Sequence, residues 1–349
     1  MKKILLFAAI TSLAACFSMQ PEINTACQQD SVGNYLIKWE TYPKLKGKVQ
    51  VYASDDPDLA NASSMGYTPI KDGVTKYITT NQTTRKYFRL VFNKTHQAIV
   101  AARIINMDST SHIRDIGGYL TREKKNVRWG KVFRMGTYGK MSAWDSMRIR
   151  NLQIKTIIDL RMDSEALANP ISYPDIQVIA LPVTTTTEYV TKQALNGRFR
   201  TGDASLYLQD MFLQFTEQIK PFANAMTVLA DQRNYPIIII DPNGKDAAGY
   251  LSALLLATLN VSDRYIVRDY LSGTEAVNFK RYAHLVVNSD NDIQETLTTI
   301  LSTKDIYINL ALNKIKSENE TYANYLREKL NISDKQQEKI RQIMLYQGR

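Results

Sequence analysis

The chain has 349 residues, room for two domains, and its 44% hydrophobic content supports globular cores. Its formal charge of +10 is spread along the chain, with no basic cluster interleaved with aromatics, which argues against a nucleic-acid partner.

At the N-terminus, Lys2 and Lys3 precede an apolar run from Ile4 to Ile10 that is too short to span a bilayer. Small residues follow, and Leu13-Ala14-Ala15-Cys16 matches a lipobox, in which Cys16 becomes the lipidated first residue after cleavage. Residues 1–16 are therefore expected to be a bacterial lipoprotein signal peptide with its lipobox. Acyl chains on Cys16 would bury CH₂ groups at ~0.8 kcal/mol each, enough for durable attachment. No later stretch approaches the ~20 apolar residues of a membrane helix. The expected location is the cell envelope, on the outer membrane, with the lipid anchor as the membrane contact. The polar residues 17–30 read as a flexible tether. With Cys16 lipidated, Cys27 has no partner for an intramolecular disulfide. His96, His112 and His284 lack zinc-ligand spacing, and no metal or other cofactor is expected.

Residues 31–106 have the texture of short strands. Tyr35 to Trp39, Lys48 to Tyr52, Tyr77-Ile78, Tyr87 to Phe92 and Ala98 to Ile104 are separated by turn-rich stretches such as Ser54 to Asp58 and Lys71-Asp72-Gly73. The pattern predicts a small all-β sandwich. Trp39 on an early strand and the strand at Tyr87 to Leu90 resemble an immunoglobulin or fibronectin III module. Such a module can be a spacer or can bind through its loops.

From residue 107 to 349 the texture alternates strands and helices. Thr156 to Leu160 and Ile176 to Leu181 read as buried strands, the second ended by Pro182. Ser205 to Leu229 has helical periodicity. Pro236 to Ile240 is a β-branched run with the look of a central strand. A turn-like loop from Asp241 to Asp246 leads into an apolar helix from Ala247 to Leu259. Strand, tight loop and helix together present backbone N–H groups at a helix N-terminus, a place that favours anions.

Several ordered motifs in this region resemble the bacterial tyrosine phosphatase family related to dual-specificity phosphatases. They are Arg114-Asp115-Ile116-Gly117-Gly118-Tyr119, Val127 to Arg134, Ile154 to Arg161 with Glu165 after it, Pro236 to Gly249, Asp269-Tyr270-Leu271 and Tyr325 to Glu328. The resemblance implies an α/β cysteine-phosphatase-type domain, a central sheet flanked by helices. The family loop reads His-Cys-Xaa-Xaa-Gly-Lys-Asp-Arg-Thr-Gly. Here Ile240-Asp241-Pro242-Asn243-Gly244-Lys245-Asp246-Ala247-Ala248-Gly249 stands in its place. Asp241 occupies the position of the nucleophilic cysteine and Ala247 that of the phosphate-binding arginine.

The family's chemistry needs a thiolate to attack phosphorus, an arginine fork to hold the phosphoryl oxygens and an acid to protonate the leaving oxygen. Asp159 matches the position given the acid role in relatives, with Asp163 a second candidate; Asp159 could equally pair with Arg161. Losing an essential nucleophile costs on the order of 10⁶ in rate, roughly 8 kcal/mol of barrier. A carboxylate about 4 Å from a phosphate charge costs roughly 4 kcal/mol per charge pair at an effective dielectric of about 20. Asp241 is expected to be ionised and to occupy the anion site itself, accepting loop N–H bonds. Lys245, Asp246 and Arg161 remain as candidates for a phosphorylated or other ligand. Asp241 as an aspartyl-phosphate nucleophile would require Mg²⁺ held by further carboxylates, and only Asp246 is near. The expected function is a pseudophosphatase acting by binding or scaffolding a protein or phosphorylated ligand. The alternatives are a phosphatase with residual or non-standard activity, and an envelope protein that binds through its β-module.

Overall fold

The computed structural model describes residues 21–346 apart from 109, 137–140, 172, 174, 278, 280–282 and 288. The signal segment and Cys16 lie outside the described residues. Seven strands come first: β1 (Glu22–Gln29), β2 (Tyr35–Tyr42), β3 (Lys48–Ser54), β4 (Ser63–Pro69), β5 (Val74–Tyr77), β6 (Tyr87–Phe92) and β7 (His96–Ala101). They form a three-stranded sheet ordered β1-β2-β5 and a four-stranded sheet ordered β4-β3-β6-β7. Alternation builds them. Tyr35, Ile37 and Trp39 of β2 point the same way and meet Val49, Val51, Phe88, Leu90 and Phe92 of the second sheet in one apolar cluster. The Trp39 indole N–H donates to the Ile70 carbonyl at 2.8 Å, so its polar edge is satisfied inside that cluster.

Here the expected tether is corrected. Residues 22–29 are strand β1, paired along their full length with β2. The sequence Glu-Ile-Asn-Thr-Ala-Cys-Gln-Gln looks polar, but Ile23 and Cys27 face inward and pack against the apolar cluster. Burial pushes the Cys27 thiol up to about 12, so it is an inert thiol and not a reactive one.

The rest of the chain adds β8 (Ile104–Ile105), β9 (Ile113–Asp115), β10 (Val132–Met135), α1 (Ala143–Asn151), β11 (Thr156–Asp159), α2 (Asp163–Ala168), β12 (Gln177–Ala180), α3 (Thr187–Leu195), α4 (Thr201–Phe215) and α5 (Ile219–Leu229). Then come β13 (Ile237–Ile240), α6 (Ala247–Thr258), α7 (Asp263–Leu271), α8 (Ala283–Val286), α9 (Asn291–Leu301), α10 (Asp305–Asn319), α11 (Tyr322–Asn324) and α12 (Asp334–Met344). The helical run expected over Ser205 to Leu229 is two helices. Pro221, which has no N–H to give, sits in the first turn of α5, where helices tolerate it best.

The second sheet system is six-stranded, ordered β12-β11-β13-β10-β9-β8, with β12, β11, β13 and β10 parallel, β9 antiparallel to β10 and β8 antiparallel to β9. β8 begins before residue 107, so this sheet starts slightly earlier than the change of texture. All four isoleucines of β13 are fully buried. Ile237 and Ile239 join the cluster built with α4, α5, α6 and α10, while Ile238 and Ile240 join the cluster containing Ile149 of α1. Each such burial contributes about 1.5–3 kcal/mol, which pins the strand and hence the loop that follows it. No helix of the described residues is long and apolar enough to cross a membrane.

The two parts meet through specific bonds. Arg85, between β5 and β6, donates to Asp115 Oδ2 at 2.6 Å and to the Ala102 carbonyl at 2.8 Å. Arg128 and Lys131 both reach Asp58. Leu59, Tyr87, Ala101 and Trp129 form a small apolar cluster at this junction.

Candidate functional site

The loop from Asp241 to Asp246 lies between the end of β13 and the start of α6. Ile240 pairs with Met135 of β10 and with Asp159 of β11, so those two strand ends flank the loop. Gly244 has φ +72°, and a Cβ there would lie 2.5 Å from backbone atoms of Met135 and Gly136. Only glycine allows the loop to press this closely on β10.

Asp241 is fully buried. Its Oδ1 accepts the N–H groups of Asn243, at 2.9 Å, and of Gly244; its Oδ2 accepts the N–H of Ala248 at 2.9 Å. Ala248 is in the first turn of α6, where N–H groups have no partner within the helix. The side chain thus takes donors that an anion-binding loop turns toward its ligand. Burial pushes the Asp241 carboxyl above its ordinary value, and the charge of Asp246 adds to that push. The amides of Ala248 and Gly244 and the charge of Lys245 pull the other way without overcoming it. The expectation of a readily ionised Asp241 rested on the amides alone; full burial beside a second carboxylate opposes them.

Lys245 is also fully buried, and its Nζ donates to Asp246 Oδ1 at 2.6 Å. Asp246 Oδ2 accepts from the Thr187 hydroxyl at 3.2 Å. Lys245 and Asp246 are therefore joined to each other. Ala247 is fully buried and has no side-chain donor. Among the loop residues, Pro242 alone is partly exposed. Thr187, at the start of α3, is a loop contact that sequence reasoning missed. Its signal was the polar stretch Thr184 to Tyr189 after a strand, which reads more readily as a plain surface loop.

At the end of β11, Asp159 faces Arg161. The guanidinium donates through Nε to Oδ1 at 2.9 Å and through Nη2 to Oδ2 at 2.7 Å, and the Arg161 backbone N–H adds a third bond at 3.1 Å. Nη1 donates to the Asn169 carbonyl at 2.7 Å. Both side chains are buried, so the fork and the carboxylate hold one another. Asp163, at the start of α2, is exposed. Glu165 accepts the Met162 N–H at 2.9 Å. Its carboxyl is pushed up to about 7, first by burial and then by the charges of Asp241 and Glu188. The loop's surroundings are thus rich in carboxylates, while its one cation is spent on Asp246.

Behind the loop lies a frame of buried charges. Asp269 of α7 accepts from Arg114 Nη2 at 3.2 Å and from the Tyr119 hydroxyl at 2.8 Å. Arg134 donates to the Asp269 carbonyl at 2.8 Å and pairs with its carboxylate at 3.3 Å. Burial would raise the Asp269 carboxyl, but the guanidiniums of Arg134, Arg114 and Arg103 hold it below its usual range. Asp115 ties the turn together: it accepts the N–H groups of Gly117 and Gly130 at 2.7 and 2.8 Å and the Arg85 guanidinium. Among the described residues, no group of three or more His, Cys, Asp or Glu side chains is placed to hold a metal ion.

Residues 105–346 match the tyrosine phosphatase family. A protein of Cupriavidus necator carrying a provisional tyrosine-protein phosphatase name is 23% identical over 231 residues, covering 64% of this chain and 83% of its own. Among solved structures, the core catalytic domain of the S. cerevisiae PP-IP phosphatase SIW14, in complex with citrate, shares 14% identity. That match covers 59% of this chain and 93% of the other, at a TM-score of 0.24. P. aeruginosa TpbA in complex with pTyr shares 13% identity over 50% of this chain and 89% of its own, also at a TM-score of 0.24.

Proposed function

The chain belongs to the tyrosine phosphatase family, and from that premise we propose that it is a pseudophosphatase: a lipid-anchored envelope protein that keeps the family scaffold and acts by binding or scaffolding. The Asp241 carboxylate carries this reading, because it accepts three loop N–H groups from within. A phosphate would have to displace a buried side chain from those donors, with Ala247 offering no guanidinium and Lys245 already paired. The attacking thiolate is absent as well, and among the described residues no group of three or more His, Cys, Asp or Glu side chains is placed to hold a metal that would give Asp241 a substitute. The N-terminal strands fit an immunoglobulin or fibronectin III-like sandwich, held to the second part through Arg85 and Asp115. A lipid on Cys16 would place this body at the outer membrane.

The test is hydrolysis of a generic aryl phosphate by the purified full-length protein, beside the double variant Asp241→Cys/Ala247→Arg. The natural protein is expected to be silent and the variant to turn over. Turnover by the natural protein that Asp241→Asn abolishes would replace this reading with a carboxylate mechanism.

A further inference from the structure

The two ends of the N-terminal strands carry opposite charge. At one end, the turn between β3 and β4 holds Asp55, Asp56 and Asp58, and Asp58 bonds Arg128 and Lys131 of the second part. The other end is built from the β2–β3 turn, the β6–β7 turn and the turn at Ile70–Asp72. Asn93 ties the first two together: its side-chain amide donates to the Lys46 carbonyl at 2.8 Å, and its Oδ1 accepts the Lys48 N–H at 3.1 Å. The Ile70 N–H donates to the Gly47 carbonyl at 2.9 Å, which brings in the third turn. Lys44, Lys46, Lys48, Lys71 and Lys94 stand on or beside these turns, and all five are exposed. The lysines in salt bridges among the described residues are Lys86, Lys131, Lys245, Lys314 and Lys316, so none of these five is engaged in one. Glu22, Glu40 and Asp72 are the carboxylates on the same segments, which leaves the lysines in excess. Tyr42, at the end of β2, is 70% exposed and sets an aromatic ring beside the cations.

The chain enters the fold at this same end, because Glu22, the first residue of β1, pairs with Tyr42. Cys16 precedes Glu22 by six residues, which span at most about 22 Å when fully extended. β1 continues for eight residues, about 25 Å, so the aspartate end lies beyond that reach. We propose that the lysine end docks on an anionic lipid surface, with the five ammonium groups at the headgroups and the Tyr42 ring at the interface. The lysines then add an electrostatic attachment to the acyl chains, and the strands hold the phosphatase-like part off the bilayer. A second copy of this chain would set lysines against lysines, which is unfavourable. An acidic polypeptide would meet the same cations, but it gives no account of why they gather where the chain enters. The proposal rests on the lipid-anchor reading above for its geometry, and it does not depend on what the loop does to phosphate esters.

The test takes the protein as isolated from membranes, in vesicles of phosphatidylglycerol and phosphatidylcholine in equal parts. Acetylation of each lysine by acetic anhydride is followed by mass spectrometry. Lys44, Lys46, Lys48, Lys71 and Lys94 should be shielded there and not in neutral detergent, while Lys335 and Lys339, exposed on α12, react equally in both. Salt should remove the shielding. Lys44→Gln/Lys46→Gln/Lys48→Gln should speed exchange of the protein between vesicles by roughly 100-fold, at about tenfold or less per lysine. Lys329→Gln/Lys335→Gln/Lys339→Gln, an equal change of net charge on exposed residues, should not. Equal effects of the two triple variants would overturn the proposal. So would equal shielding on pure phosphatidylcholine, shielding by self-association without vesicles, or shielding by polyglutamate where anionic vesicles give none. The mass of the N-terminal peptide reports acylation of Cys16 separately. An acylated protein with reactive lysines removes this proposal and keeps the anchor. An unacylated chain whose five lysines are still shielded by anionic vesicles does the reverse, and one that ignores the vesicles removes both.

Discussion

Two turns at opposite ends of the six-stranded sheet, after strands that flank β10, have met different fates. The turn after β9 keeps the whole Arg114-Asp115-Ile116-Gly117-Gly118 motif, and each polar member is bonded to protein: Arg114 to Asp269, and Asp115 to Gly117, Gly130 and Arg85. The loop after β13 keeps Gly244, Lys245, Asp246 and Gly249 but has Asp241 and Ala247 at the positions that the resemblance assigns to the family's cysteine and arginine. The retained loop residues also face inward: Lys245 bonds Asp246, and Gly244 allows contact with β10. On the proposed reading, what has changed is the pair of groups that would have touched a phosphate. A buried charge left without its partner destabilises a fold strongly, whereas a group that serves only a ligand can be replaced without that cost. The contrast teaches that frame and chemistry are separable in this scaffold.

The sharpest way to break that comparison is to restore the loop. Asp241→Cys/Ala247→Arg should raise aryl phosphate turnover by on the order of 10³-fold or more over the natural protein, because the frame that would position both groups is in place. A folded but silent double variant would mean that the frame has drifted as well. Next comes the frame itself. Asp269→Asn leaves Arg114 and Arg134 without a buried counter-charge and should lower unfolding free energy by about 3–5 kcal/mol in urea titrations. A loss near zero would show that these arginines find compensation elsewhere.

Asp241→Ala should be milder, at about 2–4 kcal/mol, since it strips the acceptor from buried N–H groups and leaves no charge uncompensated. Inorganic phosphate should then raise the variant's melting temperature and leave the natural protein's unchanged. If neither protein responds, those amides do not form an anion cradle. The smallest effect concerns Glu165. Its carboxyl lies at about 7 in the folded chain against an ordinary 4.5, so the folded chain holds a proton that the unfolded chain has released between those values. Its contribution to stability is therefore present below the lower value and lost as pH rises through about 7. Glu165→Gln keeps an acceptor for the Met162 N–H and should flatten that decline, read from urea midpoints at each end of the window. An unchanged pH slope would mean that solvent screens this half-buried group.

The sequence by itself determined the family, the mixed α/β architecture, the central strand at Ile237 to Ile240 and the identity of the loop residues that follow it. Those readings rest on local periodicity and on residue order, which need no knowledge of what lies opposite. Tertiary structure decided the rest. That residues 22–29 form a strand depends on Ile23 and Cys27 meeting a core assembled from residues far along the chain. That Lys245 turns to Asp246, that Thr187 reaches the same carboxylate and that Arg161 closes on Asp159 are choices of side-chain direction. The upward push on Asp241 likewise required its burial, which outweighs the amide donors that its position in the loop supplies. Periodicity says which residues an element turns inward. Only packing says which partners they meet there, because burial makes each unpaired polar group expensive and so selects the one arrangement that satisfies them together.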